Sequence, residues 1–162
     1  MTRVYIALGA NLASPKAQLD QACIALKALA SDGRVAVSPY YASAAMGDVP
    51  QPDYLNAVAC FNTSLDPIAL LDALQAIEQQ QGRVRHIRWG ARSLDLDLLL
   101  YGAQQIDLPR LTVPHYGMKQ RSFVLVPLHD LAPELVLPCG TAVASLIDDT
   151  LLAEVQQLSP DH

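Results

Sequence analysis

The sequence predicts an α+β fold: a β-α-β-β-α-β sandwich with a C-terminal extension of short helices and strands. Three observations predict it. Apolar or alternating runs of strand length lie at residues 4–8, 35–41, 55–63 and 93–101. Two segments with apolar residues at three- and four-residue spacing fall between the first and second runs and between the third and fourth. Beyond Gly102, prolines at 109, 114, 127, 133 and 138 break the chain into short pieces. Two βαβ halves in this order make the ferredoxin-like sandwich, one sheet with both helices on one face. The 162 residues read as a single domain, 1–162.

The first strand, Val4-Tyr5-Ile6-Ala7-Leu8, ends at Gly9-Ala10-Asn11. Ser14-Pro15 then supplies an N-cap and a proline at the first helical position. Leu19, Ala22, Cys23, Leu26 and Leu29 mark one face of this helix, which Gly33 stops. The second strand runs from Val35 to Tyr41 and the third from Leu55 to Thr63. Asp66-Pro67 repeats the cap-plus-proline start, and Leu70, Leu71, Leu74 and Ile77 carry a second helix to near Gly82. A fourth strand spans Ser93 to Tyr101, with Leu94, Leu96, Leu98 and Leu100 expected on the face that meets the helices.

Composition narrows the function. A 51% apolar and 17% charged chain is that of a compact soluble protein, and no apolar run reaches the roughly 18 residues of a membrane helix. Three cysteines without CxxC spacing argue against a disulfide framework or a zinc site and fit a reducing cytoplasm. The net charge is −5, yet residues 83–121 carry seven basic side chains (Arg83, Arg85, Arg88, Arg92, Arg110, Lys119, Arg121) against Asp95, Asp97 and Asp107. An acidic chain with a local basic cluster points away from nucleic acid and toward a small polyanion such as a phosphate compound.

The fourth strand carries two carboxylates. Asp95 and Asp97, two residues apart, share one strand face roughly 7 Å apart. They repel each other, a conflict that Mg²⁺ removes, since it binds one or two carboxylates together with substrate phosphates. The other reading is a solvated pair on an exposed sheet face. Just before them runs Arg83-Val84-Arg85-His86-Ile87-Arg88-Trp89-Gly90-Ala91-Arg92. Guanidinium groups pair bidentately with phosphate oxygens, and the flanking glycines suit a loop that closes on substrate. The plainer reading is a basic loop that pairs with the acidic remainder of the surface. Pro114-His115-Tyr116 and Arg121 extend the polar inventory, with His115 open between a structural and a ligand role. Tyr54 and Phe123 suit the core at strand ends, and Asn56 either a turn or the reading of a heterocycle through its amide. No GxxxxGK[ST], GxGxxG, HExxH or GxSxG is present, so an ATP site would rest on side chains and metals.

The segment Arg88-Trp89-Gly90-Ala91-Arg92-Ser93-Leu94-Asp95-Leu96-Asp97-Leu98-Leu99 resembles the signature of 6-hydroxymethyl-7,8-dihydropterin pyrophosphokinases, enzymes of folate biosynthesis. Residues 6–12, 51–57, 78–85 and 111–116 extend the resemblance across nearly the whole chain. It implies a ferredoxin-like fold and transfer of pyrophosphate from ATP to the pterin hydroxyl. Asp95 and Asp97 resemble the ligands of two Mg²⁺ ions, and Arg83 and Arg92 the loop arginines that engage the phosphates. Arg85, Arg88, His115, Tyr116 and Arg121 resemble residues around the triphosphate and ribose, with Gln75 and Glu78 on the nucleotide side. Leu98, Arg110 and Thr112 resemble the adenine and ribose surroundings. Tyr54 and Phe123 resemble the aromatic pair that sandwiches the pterin, Asn56 its amide reader and Trp89 a nearby loop residue. The loop with Ser43, Ala44 and Met46 resembles one that offers backbone groups to the pterin, although family members usually carry prolines there.

Two other functions use parts of this pattern. A two-metal nucleotidyl transferase or hydrolase would use the Asp pair without Tyr54, Asn56 and Phe123 converging. A non-enzymatic nucleotide-sensing or RNA-binding module would bind ATP without consuming it. The expected state is a cytoplasmic monomer whose partners are ATP and the pterin, with no nucleic acid, no membrane and no fused folate-pathway domain.

Overall fold

The computed structural model describes residues 1–10, 15–43, 54–80, 94–114, 122–153 and 155–157. In chain order these form β1 (Thr2–Ala10), α1 (Pro15–Leu26), β2 (Ala36–Val37), β3 (Tyr41–Ser43), β4 (Tyr54–Thr63) and α2 (Pro67–Gln80). There follow β5 (Asp95–Tyr101), β6 (Ile106–Leu108), β7 (Leu111–Val113), α3 (Ser122–Leu131), a 3₁₀ turn (Val143–Leu146), α4 (Asp149–Ala153) and β8 (Val155–Gln157). The main sheet runs β5-β1-β4-β3-β8 with β2 also on β4, and its pairings are antiparallel. Taking β2 and β3 as one interrupted strand, this is the ferredoxin-like order expected from the βαβ repeat.

The central strand shows why. Val4, Ile6 and Leu8 of β1 pack with Leu19, Leu26, Leu70 and Leu74 of α1 and α2, whereas Tyr5 and Ala7 pack with Val124, Leu125 and Leu128 of α3. A strand covered on both faces needs the unbroken apolar run that the sequence has. The second helix begins as its cap dictates: Asp66 Oδ1 accepts the Ala69 N–H at 2.8 Å. Ser14, the cap expected for the first helix, lies outside the described residues. The first helix is shorter than expected. It ends at Leu26, and residues 27–33 form turns up to Gly33, whose φ of 71° favours glycine. Leu29 nonetheless packs against the core.

Several expectations need correction. β1 reaches two residues past Leu8, so Gly9 and Ala10 belong to the ladder. The second strand is split. Pro39 has no N–H, and Ser38 bridges the gap instead: its N–H donates to Val58 O at 2.9 Å and its Oγ accepts the Val58 N–H at 3.0 Å. Leu100 does not join Leu94, Leu96 and Leu98. The β1–β5 register slips so that Tyr5 faces Leu100 and Ile6 faces Leu98. Leu99 and Leu100 therefore lie on the α3 side, and Tyr101 returns to the α1–α2 side. Pro127 breaks nothing, since it lies inside α3, and Phe123 sits near the start of that helix rather than at a strand end.

Candidate active site

Register assembles the first half of the site. Asp95 pairs with Gly9 and Gly9 with Asn56, which pairs in turn with Tyr41. The next row places Asp97 beside Ala7 and Ala7 beside Val58. Ala7 and Val58 pack on the α3 side, so alternation puts Asp95, Asp97 and Asn56 on that same face. Adjacent strands are spaced roughly 4.8 Å apart, so Asp95 and Asn56 are separated by roughly 10 Å across the row. The position between them has no side chain. A Cβ built on Gly9 would come within 3.3 Å of Asn56 Oδ1. Glycine in this strand interior is explained by that close approach.

The carboxylate pair fits Mg²⁺. Asp95 and Asp97 are half-buried hard-oxygen donors on adjacent same-face positions, and their cross-strand neighbours Gly9 and Ala7 are the smallest available. Among the described residues no cluster of three or more His, Cys, Asp or Glu side chains could hold a metal. Two carboxylates suit an ion whose remaining shell comes from phosphate and water, and do not suit a closed protein cage.

A second group lies toward the edge of the sheet. Glu78, 7% exposed, accepts the Leu96 N–H at 2.8 Å, so α2 caps the edge strand at the residue between the two aspartates. The backbone groups of Leu98 project to that same edge, whereas its side chain is in the core, so any contact with a ligand there is through the backbone. Arg110, in the turn between β6 and β7, donates to Asp72 Oδ1 at 2.5 Å and to Gln75 Oε1 at 3.5 Å. Thr112 of β7 is exposed beside it in sequence and pairs with Asp107. Gln75 and Arg110, expected on the nucleotide side, are thus brought together, with Asp72 an unforeseen partner.

On the opposite side of the aspartates, Ser43 and Tyr54 are backbone partners in the β3–β4 ladder, two pairs along from Tyr41–Asn56. Phe123 packs against the apolar cluster beneath α3. The Tyr41 hydroxyl, from a side chain 6% exposed, donates to Asp130 Oδ2 near the end of the same helix. Burial first, and the Asp130 carboxylate second, hold the Tyr41 hydroxyl protonated above the ordinary tyrosine range. Sequence reasoning passed over Gly9, Tyr41 and Asp130. Only the glycine inside an apolar strand could have signalled one of them. Arg83, Arg85, Arg88, Trp89, Arg92, Ala44, Met46, His115, Tyr116 and Arg121 lie outside the described residues.

The family model described as 7,8-dihydro-6-hydroxymethylpterin-pyrophosphokinase (HPPK) matches residues 5–133. The chain belongs to this family. It is 56% identical over 145 residues to a Pseudomonas aeruginosa protein named 2-amino-4-hydroxy-6-hydroxymethyldihydropteridine pyrophosphokinase, with 90% of each chain covered. A Haemophilus influenzae protein of the same name is 48% identical over 160 residues, covering 99% of this chain and 100% of that one. Among solved structures, an HPPK-DHPS in complex with substrates superposes with a TM-score of 0.75 at 13% identity, covering 98% of this chain and 48% of that one. The wild-type Plasmodium falciparum HPPK-DHPS gives 0.69 at 14% identity, covering 90% of this chain and 40% of its own. At such identities the likeness is one of fold, and the chain spans less than half the length of either structure. The HPPK match contains both aspartates, Asn56, Phe123 and Arg110.

Proposed function

We propose that the chain transfers pyrophosphate from ATP to the hydroxyl of 6-hydroxymethyl-7,8-dihydropterin, yielding AMP and the pterin diphosphate in folate biosynthesis. The observation that carries this reading is the row Asp95–Gly9–Asn56. A carboxylate pair and an amide stand on one sheet face with a side-chain-free position between them. An amide offers both a donor and acceptors to the edge of a pterin ring, and Phe123 and Tyr54 would hold the ring faces.

Asp95 and Asp97 would hold two Mg²⁺ ions. Bound there, the metal supplies neutralisation of triphosphate charge and polarisation of the attacking hydroxyl. The hydroxymethyl oxygen forms a bond to the β-phosphorus, and the bond from that phosphorus to the α,β-bridging oxygen breaks. AMP leaves and the hydroxyl proton passes to solvent. Arg83, Arg85, Arg88, Arg92, His115, Tyr116 and Arg121 would surround the triphosphate and ribose, with Arg83 and Arg92 countering its developing charge. Gln75, Glu78, Arg110, Thr112 and the Leu98 backbone would hold the nucleoside. Ser43, Ala44, Met46 and Trp89 would close around the pterin. Such a site works by positioning and charge neutralisation and needs no strong base.

We further propose a single domain over residues 1–162 that acts as a cytoplasmic monomer. Among the described residues, no helix is long and apolar enough to cross a membrane.

The test is incubation with ATP, Mg²⁺ and the pterin, followed by nucleotide separation. AMP formed in step with pterin consumption, and only with pterin present, is the expected result. ADP would mean an ordinary kinase, AMP without pterin a transferase or hydrolase, and untouched ATP a binding module.

A further inference from the structure

The Tyr41–Asp130 hydrogen bond spans 89 positions of sequence and joins the three elements that frame the pterin side of the site. Tyr41 belongs to β3, whose next residues lead to Ser43. It is the cross-strand partner of Asn56 on β4. Asp130 belongs to α3, which also carries Phe123 two turns earlier. The helix lies on the sheet through Val124, Leu125 and Leu128, and apolar contacts of that kind are non-directional. A hydroxyl-to-carboxylate bond is short, charge-assisted and directional, so it sets where along and around its axis the helix sits.

We propose that the Tyr41–Asp130 bond is a positioning device for pterin recognition, fixing α3, and with it Phe123, at a set height above the strand pair that carries Asn56. Both are positioning residues, acting through Phe123 and Asn56. The inference rests on the pterin reading above. The location of the bond suits this role better than a role in stability. The Tyr41 ring is buried, but Asp130 is exposed, so removing the hydroxyl leaves a carboxylate that water can solvate. Tyr41→Phe keeps the packed ring and removes the hydroxyl that reaches Asp130.

The experiment measures pterin and ATP KM, kcat, and the dissociation constant of the pterin by fluorescence titration with a non-hydrolysable ATP analogue present. Tyr41→Phe is expected to raise pterin KM and Kd roughly tenfold, with ATP KM and kcat at saturating pterin within about twofold and Tm nearly unchanged. Asp130→Ala should match it, and Asp130→Asn, which keeps an acceptor, should recover most of the affinity. The double variant Tyr41→Phe/Asp130→Ala should be no weaker than either single variant. Unchanged pterin affinity in Tyr41→Phe, or a parallel loss for ATP and pterin with a fall in Tm, would overturn the proposal. A wild-type chain that neither binds the pterin nor forms AMP would overturn the pyrophosphokinase reading, and the positioning role with it.

Discussion

Replacing Gly9 by alanine tests the site geometry with one carbon atom. The added Cβ would stand 3.3 Å from Asn56 Oδ1, tight enough that the amide must yield by a few tenths of an ångström. β1 lies between β5 and β4, so its own backbone has little freedom to retreat. The displacement therefore falls on Asn56, the residue assigned to the pterin. Loss of one neutral amide hydrogen bond costs about 0.5–1.5 kcal/mol, or a roughly twofold to tenfold weaker pterin complex. The fold should tolerate the change. Alanine gains about 0.5–1 kcal/mol over glycine in a strand interior, which offsets the crowding, so Tm should move by no more than about 4 °C. Calorimetric titration of the pterin, with an ATP analogue present, reads the affinity, and a parallel ATP titration should stay within about twofold. Wild-type pterin affinity in Gly9→Ala would refute the placement of the pterin across the Asp95–Gly9–Asn56 row. An equal loss for both substrates would show general distortion instead.

Other substitutions probe the remaining parts. Asp95→Ala or Asp97→Ala should lower turnover by more than about 100-fold while the far-UV circular dichroism stays native, and turnover near wild type would remove the metal role from that residue. Arg110→Ala should raise ATP KM severalfold with Tm lowered by no more than about 4 °C, because an exposed ion pair such as Arg110–Asp72 adds at most about 1 kcal/mol to stability. A larger fall in Tm without any change in ATP KM would assign that pair to structure. Ser38→Ala should act the other way. It strips the buried Val58 N–H of its acceptor, costing about 1–3 kcal/mol and lowering Tm by several degrees, while substrate affinities hold; thermal unfolding within 1 °C of wild type would contradict it.

The sequence by itself determined the order of the main elements and the location of the chemistry. Val4–Leu8 reads as a strand from its unbroken apolar run between turn signals, and only the structure showed that both of its faces are covered. Asp66-Pro67 had to open a helix, and Asp95 and Asp97 had to share a face because strand side chains alternate with period two. These are local rules, satisfied within a few neighbours along the chain. The tertiary structure decided what depends on partners distant in sequence. Whether Leu100 follows Leu98 depends on how β5 registers against β1, and the slip opposite Tyr5 turned it to the other face. Ser38 could replace a strand bond only because Val58 stood opposite, and Pro127, which reads as a break along the chain, lies inside a helix that packs on the sheet through Val124, Leu125 and Leu128. Gly9 acquired its meaning from Asn56, and Tyr41 from Asp130, partners 47 and 89 residues away. Alternation places a carboxylate on a face, but only the pairing of strands determines which residues share that face with it.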